Sequence, residues 1–208
     1  MTLNYTKSAL ASAMRIALGT HTKWLAPISA ASQRIYYANH TSHLDFVVTW
    51  ASLPPGVRNQ TRPVAAREYW TQGIFRSQIA QRLFRAVLVD RPLAMPRTLA
   101  SRSMLDPMLH ALDAGDSLIL FPEGTRGDGE QVGAFKSGIY HLAQMRPNVQ
   151  LVPVYLANVN RILPKGEFMP VPMLSRVVFG APLDPLADES KETFLNRARA
   201  ALCALRAQ

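Results

Sequence analysis

Two short stretches of this 208-residue chain gather side chains capable of chemistry. The first is Asn39-His40-Thr41-Ser42-His43-Leu44-Asp45, which sets two histidines close to a carboxylate. Histidine titrates near neutral pH, and a carboxylate beside it fixes its tautomer and stabilises the imidazolium, so an Asp–His pair makes a general base. Residues five apart on a helix lie roughly 140° apart around it. His40 and Asp45 therefore meet only if His40 lies in a loop that folds back onto a helix begun by Asp45. The same residues admit two other readings. Ser42-x-x-Asp45 ahead of an apolar run has the form of a capping box, with Asp45 favoured by the helix dipole, although a cap leaves His40 unexplained. Alternatively, His40, His43 and Asp45 are three candidate ligands of a catalytic metal in a hydrolase, but His21, His110 and His141 stand singly and form no second cluster.

The second stretch is Leu118-Ile119-Leu120-Phe121-Pro122-Glu123-Gly124-Thr125-Arg126. An apolar run reads as a buried strand, Pro122 ends it, and Gly124 permits a tight or left-handed turn that displays Glu123 and Arg126 at the strand's carboxyl end. The planar guanidinium of Arg126 suits a phosphate, to which it can make paired charge-assisted hydrogen bonds. Taken alone, a surface ion pair between Glu123 and Arg126 explains the residues as well.

The elements that position these residues follow from periodicity. Strands are predicted over 34–38, 63–66, 86–89, 117–121, 150–157 and 176–179. Helices are predicted through Leu44, Val47, Val48 and Ala51, ending at Pro54-Pro55-Gly56, over 72–84, and over 96–114 with Pro107 inside. Two more carry Phe135, Ile139, Leu142 and Ala143, and, from about residue 190, Phe194, Leu195, Ala198, Leu202 and Leu205. Strands alternating with helices predict a single-domain α/β fold with a largely parallel central sheet flanked by helices. Ligands of such folds sit at the carboxyl ends of the strands, where both stretches lie.

Composition sets outer limits. With 23 Lys and Arg against 14 Asp and Glu the net charge is +9, and 48% of the residues are hydrophobic, which excludes a disordered chain. Cys203, the one cysteine, can form no internal disulfide, so a reducing compartment is expected. The charge excess admits nucleic acid, an anionic membrane or a phosphate-bearing substrate as partner. From Arg58 to Arg102 there are nine arginines and two acids, Glu68 and Asp90. Trp70, Ile74, Phe75, Ile79 and Phe84 interleave with that charge, which suits a helix at an anionic lipid interface or one packed in the core better than a nucleic-acid module, since no nucleic-acid motif accompanies it. Leu10, Met14, Ala17 and Leu18 recur at helical spacing, so residues 1–30 are expected to form an amphipathic helical segment that covers the core or lies on a membrane interface. No apolar run reaches the length of a membrane span.

Together, Asn39-His40 with Asp45 and Phe121-Pro122-Glu123-Gly124-Thr125-Arg126 resemble the glycerolipid acyltransferases of the 1-acylglycerol-3-phosphate acyltransferase type. Residues 84–91, ending Leu88-Val89-Asp90-Arg91, resemble that family's second block, and Val152-Pro153-Val154 its fourth, so the likeness runs from Tyr36 to Ala157. It implies an acyltransferase domain over 31–208, with His40 as catalytic base and Asp45 as its orienting carboxylate. Glu123, Gly124, Thr125 and Arg126 then match the acceptor-binding block, Arg126 for the phosphate, and Arg91 matches a further acceptor-binding position. Gly127 stands where family members often carry serine. The implied reaction moves a fatty acyl group from acyl-coenzyme A or an acyl carrier protein to a lysophospholipid hydroxyl, foremost 1-acyl-sn-glycerol-3-phosphate, giving phosphatidate. It requires no metal and no cofactor besides the donor. The expected partners are the donor, the lysophospholipid and an anionic membrane surface rather than nucleic acid, and the expected location is cytoplasmic, peripheral on the inner face of the membrane.

Overall fold

The structure is a computed structural model that describes residues 2–29, 31–70, 83–90, 97–162, 174–184, 186 and 188–208. Seven strands form one sheet: β1 (Thr20–Trp24), β2 (Arg34–Ala38), β3 (Thr61–Ala66), β4 (Val87–Val89), β5 (Ser117–Leu120), β6 (Gln150–Ala157) and β7 (Ser175–Phe179). Their spatial order is β1-β7-β6-β2-β5-β3-β4. Every neighbouring pair is parallel except β6 with β7, so β7 and β1 run opposite to the other five. The central strands β2 and β5 are buried along their whole length. They lack the apolar–polar alternation of a half-solvated strand because helices cover both faces.

Among the described residues the α-helices are α1 (Thr2–Ala17), α2 (Asp45–Ser52), α3 (Pro55–Asn59), α4 (Arg67–Trp70), α5 (Arg97–Asp113), α6 (Gly138–Met145), α7 (Val159–Ile162) and α8 (Lys191–Ala204). One core layer joins Ile35, Tyr37, Leu118 and Leu120 to Leu105 and Met108 of α5, Ile139 and Leu142 of α6, and Ala198 and Leu202 of α8. The opposite layer joins Tyr36, Ala38, Ile119 and Val152 to Ala11 of α1, Val48 and Ala51 of α2, and Phe84. Alternate residues of one strand thus feed two cores, giving the α/β architecture that the sequence pattern predicts.

Three expectations need correction or fall away. The segment 1–30 is not helical throughout. Gly19, at φ +50, turns the chain after α1, and Thr20–Trp24 joins the sheet edge with Trp24 stacked 3.7 Å from Phe179. Pro54-Pro55-Gly56 ends one helix but also begins another, because Pro55 supplies the fixed φ favoured at a first helical position. The helix predicted over 72–84 lies outside the described residues up to position 82. None of the described helices is long and apolar enough to cross a membrane.

Helix α1 packs against α2 and α3 while leaving Tyr5 and Ile16 exposed. At its contact with α3 two cations are buried. Arg58 donates to Ser8 Oγ at 3.1 Å and lies over the Trp50 ring. Lys7 is 8% exposed, and burial, together with the charges of Arg85 and Arg58, holds its amine below the ordinary lysine value.

Candidate functional site

His40 follows the last residues of β2, and Asp45 opens α2 after a four-residue loop. His40 Nδ1 lies 2.9 Å from Asp45 Oδ2. The same oxygen accepts the backbone N–H of Thr41 at 2.6 Å and of Ser42 at 2.8 Å. Asp45 is fully buried, so its one carboxylate folds the loop and holds the imidazole at once. The helix-start and pairing readings of Asp45 therefore merge, although the capping position itself falls to Leu44, whose side chain makes no cap. A carboxylate at Nδ1 requires the proton there and leaves the Nε2 lone pair free to act. The ring also stacks on Phe121, centroid to centroid 4.3 Å.

Phe121 begins the loop that follows β5, and this loop grips His40 by its backbone. Glu123 Oε1 accepts the His40 N–H at 2.8 Å, and the Gly127 N–H donates to the His40 carbonyl at 2.8 Å. The other Glu123 oxygen accepts the Gly133 N–H at 2.7 Å. A Cβ at Gly133 would stand 2.8 Å from that oxygen, so the close approach needs glycine. From outside, Arg199 of α8 donates to the Val132 carbonyl at 2.6 and 2.9 Å and to the Gly133 carbonyl at 3.1 Å. A continuous chain of hydrogen bonds thus runs from α8 through Gly133 and Glu123 to the backbone of His40. Asn39 completes the frame by exchanging two hydrogen bonds with the Leu156 backbone, at 2.8 and 2.9 Å, which locks the end of β2 to β6.

His40 opens into a cleft of about 990 Å³ at the carboxyl ends of β2, β3 and β5. Its deeper wall is apolar, with Val64, Leu105, Met108, Leu120 and Ile139. Gly124, Thr125 and Arg126 line it, and Gly124 adopts φ +72 as the turn demands. Arg126 is exposed and, among the described residues, forms no ion pair with Glu123 or any other acid. Glu123 stands apart from the rest of its block: it is buried, its oxygens are taken by backbone groups, and it does not line the cleft. Arg91 lies outside the described residues, while its neighbour Asp90 accepts Arg67 Nε at 2.7 Å. Sequence reasoning missed Lys136, which brings a second cation to the cleft beside Gly124, and Phe121, the floor under the imidazole. Among the described residues no three His, Cys, Asp or Glu side chains converge as a metal site, and His43 lines the cleft rather than joining His40 and Asp45.

The family model described as Acyltransferase matches residues 20–157. The 1-acyl-sn-glycerol-3-phosphate acyltransferase of Limnanthes alba is 34% identical over 146 residues, covering 67% of this chain and 47% of that protein. The protein of the same name from Limnanthes douglasii matches equally. The chain spans about half the length of the curated relatives it matches. Among solved structures, the 1-acyl-sn-glycerophosphate acyltransferase of Thermotoga maritima superposes with a TM-score of 0.75 at 19% identity, covering 98% of this chain and 78% of that one.

Proposed function

The chain belongs to the Acyltransferase family, and from that premise we propose that it transfers a fatty acyl group from an acyl thioester to the free hydroxyl of 1-acyl-sn-glycerol-3-phosphate, forming phosphatidate. The observation that carries this reading is the 2.9 Å contact of His40 Nδ1 with buried Asp45, set on an apolar cleft that Arg126 also lines. The likeness to the Limnanthes enzymes, named for this acceptor, supports it.

His40 Nε2 takes the proton of the acceptor hydroxyl as its oxygen attacks the thioester carbonyl. Asp45 stabilises the imidazolium that results, and this imidazolium then protonates the departing thiolate as the tetrahedral intermediate collapses. No covalent enzyme intermediate is involved, in keeping with a chain that has no Gly-x-Ser-x-Gly elbow and carries Cys203 outside the cleft. The backbone N–H groups of Thr125 and Arg126, which donate to no described residue, are available to the oxyanion. Arg126 and Lys136 meet the acceptor's phosphate, Gly124 lets the backbone come close, and the match of Arg91 to the family's second block gives it an acceptor-binding role. The apolar wall takes the acyl chain. The donor is the one co-substrate required, and the enzyme works on an anionic membrane surface, from the cytoplasmic side.

The test is a matrix of acyl donors and lysolipid acceptors read by lipid mass spectrometry, wild type against His40→Ala. The wild type should make phosphatidate, and His40→Ala should make none while keeping its circular dichroism spectrum. A folded His40→Ala protein with near-normal turnover would sink the mechanism.

A further inference from the structure

The loop carrying His40 faces two cavities. His40 lines the cleft, whereas its neighbours Asn39 and Thr41 line a second basin of about 700 Å³ on the far side. The strand reversal builds that basin: β6 ends there, and β7 and β1 begin there, with Thr20 paired to Ser175. Its walls carry His21, Arg161, Arg176 and Arg206. Among the described residues none of these arginines is in an ion pair. Arg176 donates to the Arg206 carbonyl at 3.0 Å and Arg206 to the Glu130 carbonyl at 3.1 Å, while the Arg161 side chain makes no hydrogen bond to a described residue. Two acids share the wall, Asp128 and Glu130, and Asp128 Oδ1 already accepts the Glu130 N–H at 2.9 Å. Three arginines against two acids leave the wall with an excess of one positive charge.

The two cavities differ as the two ends of one donor differ. The cleft is largely apolar with two cations at its mouth, enough for a chain and a single phosphate. The basin is polar, lies in the size range of small-molecule sites, and offers three guanidinium groups suited to several phosphates. Residues 39–41 stand between the two, with His40 on the cleft and Asn39 and Thr41 on the basin. Resting on the acyl-transfer reading above, we propose that the basin receives the phosphorylated nucleotide end of an acyl-coenzyme A donor.

Arg161→Gln is the cleanest probe, because the exposed side chain bonds none of the described residues. Arg176→Gln is the second variant, with circular dichroism checking both folds. The KM for acyl-coenzyme A should rise about fivefold to tenfold in Arg161→Gln, with the acceptor KM unchanged. That difference should vanish with acyl-pantetheine, which lacks the nucleotide, and calorimetry with free coenzyme A should show the same weakening. Unchanged coenzyme A affinity in both folded variants, an effect on acceptor KM instead, or a wild type that uses only acyl carrier protein would each overturn the assignment. A wild type that binds coenzyme A through Arg161 yet transfers no acyl group would support the basin while refuting the acyl-transfer reading.

Discussion

Asp45 Oδ2 accepts three hydrogen bonds, one from an imidazole and two from backbone. Asp45→Asn retains an oxygen for the backbone donors but removes the charge that stabilises the imidazolium. Its kcat should fall by about two to four orders of magnitude at nearly unchanged Tm, measured by steady-state assay and calorimetry. Near-normal turnover would return Asp45 to a purely structural role. Glu123→Gln tests the opposite kind of residue. An amide in place of one carboxylate oxygen faces a backbone N–H donor, either that of His40 or that of Gly133, with another donor. The loss is about 1–3 kcal/mol of stability. Because the affected bond holds His40, kcat should drop while the acceptor KM stays constant, and a rise in acceptor KM alone would instead favour direct contact with substrate. The contrast explains what was legible at this scale. The contact of His40 with Asp45 was one of the readings that residue type and spacing offered, since that chemistry lies in their own side chains. The partners of Glu123 are backbone groups 83 and 10 positions away, which no local pattern records.

Among the elements, the buried strands were legible because continuous apolar runs between turn residues have few other uses. Strands 34–38 and 150–157 and the helix opened by Ser190, which accepts the Thr193 N–H, match their predicted bounds closely. The strand Thr20–Trp24 was not legible: THTKW is mostly polar, and only its distant partner β7 makes it a strand. Likewise the amphipathic pattern of α1 identified its apolar face but not the burial of Lys7. Below its lowered folded-state pKa, Lys7 is charged in both folded and unfolded chains, and folding bears the cost of burying that charge. The cost fades as pH rises through the folded value and is gone above the ordinary value of 10.5, where the amine is neutral in both states. Lys7→Met should therefore raise Tm at pH 7, and the gain should shrink as pH approaches 10.5. An equal Tm at pH 7 would mean that Lys7 finds an anionic partner.

Over the whole molecule, a net charge of +9 and the exposed Tyr5 and Ile16 on α1 favour adsorption to an anionic bilayer. The protein should sediment with vesicles containing phosphatidylglycerol and much less with phosphatidylcholine alone, and the difference should shrink in high salt. Equal sedimentation with both vesicles would put the charge to another use. The pairing of β1 with β7 bears on a separate matter, the order in which the molecule assembles. The hydrogen-bonded hydroxyls of Thr20 and Ser175 are 155 residues apart in the chain. Closing so large a loop is slow, and it cannot begin on the ribosome until β7 has emerged. β1, although it precedes β7 in the chain, therefore takes its place at the sheet edge only after β7 has been made.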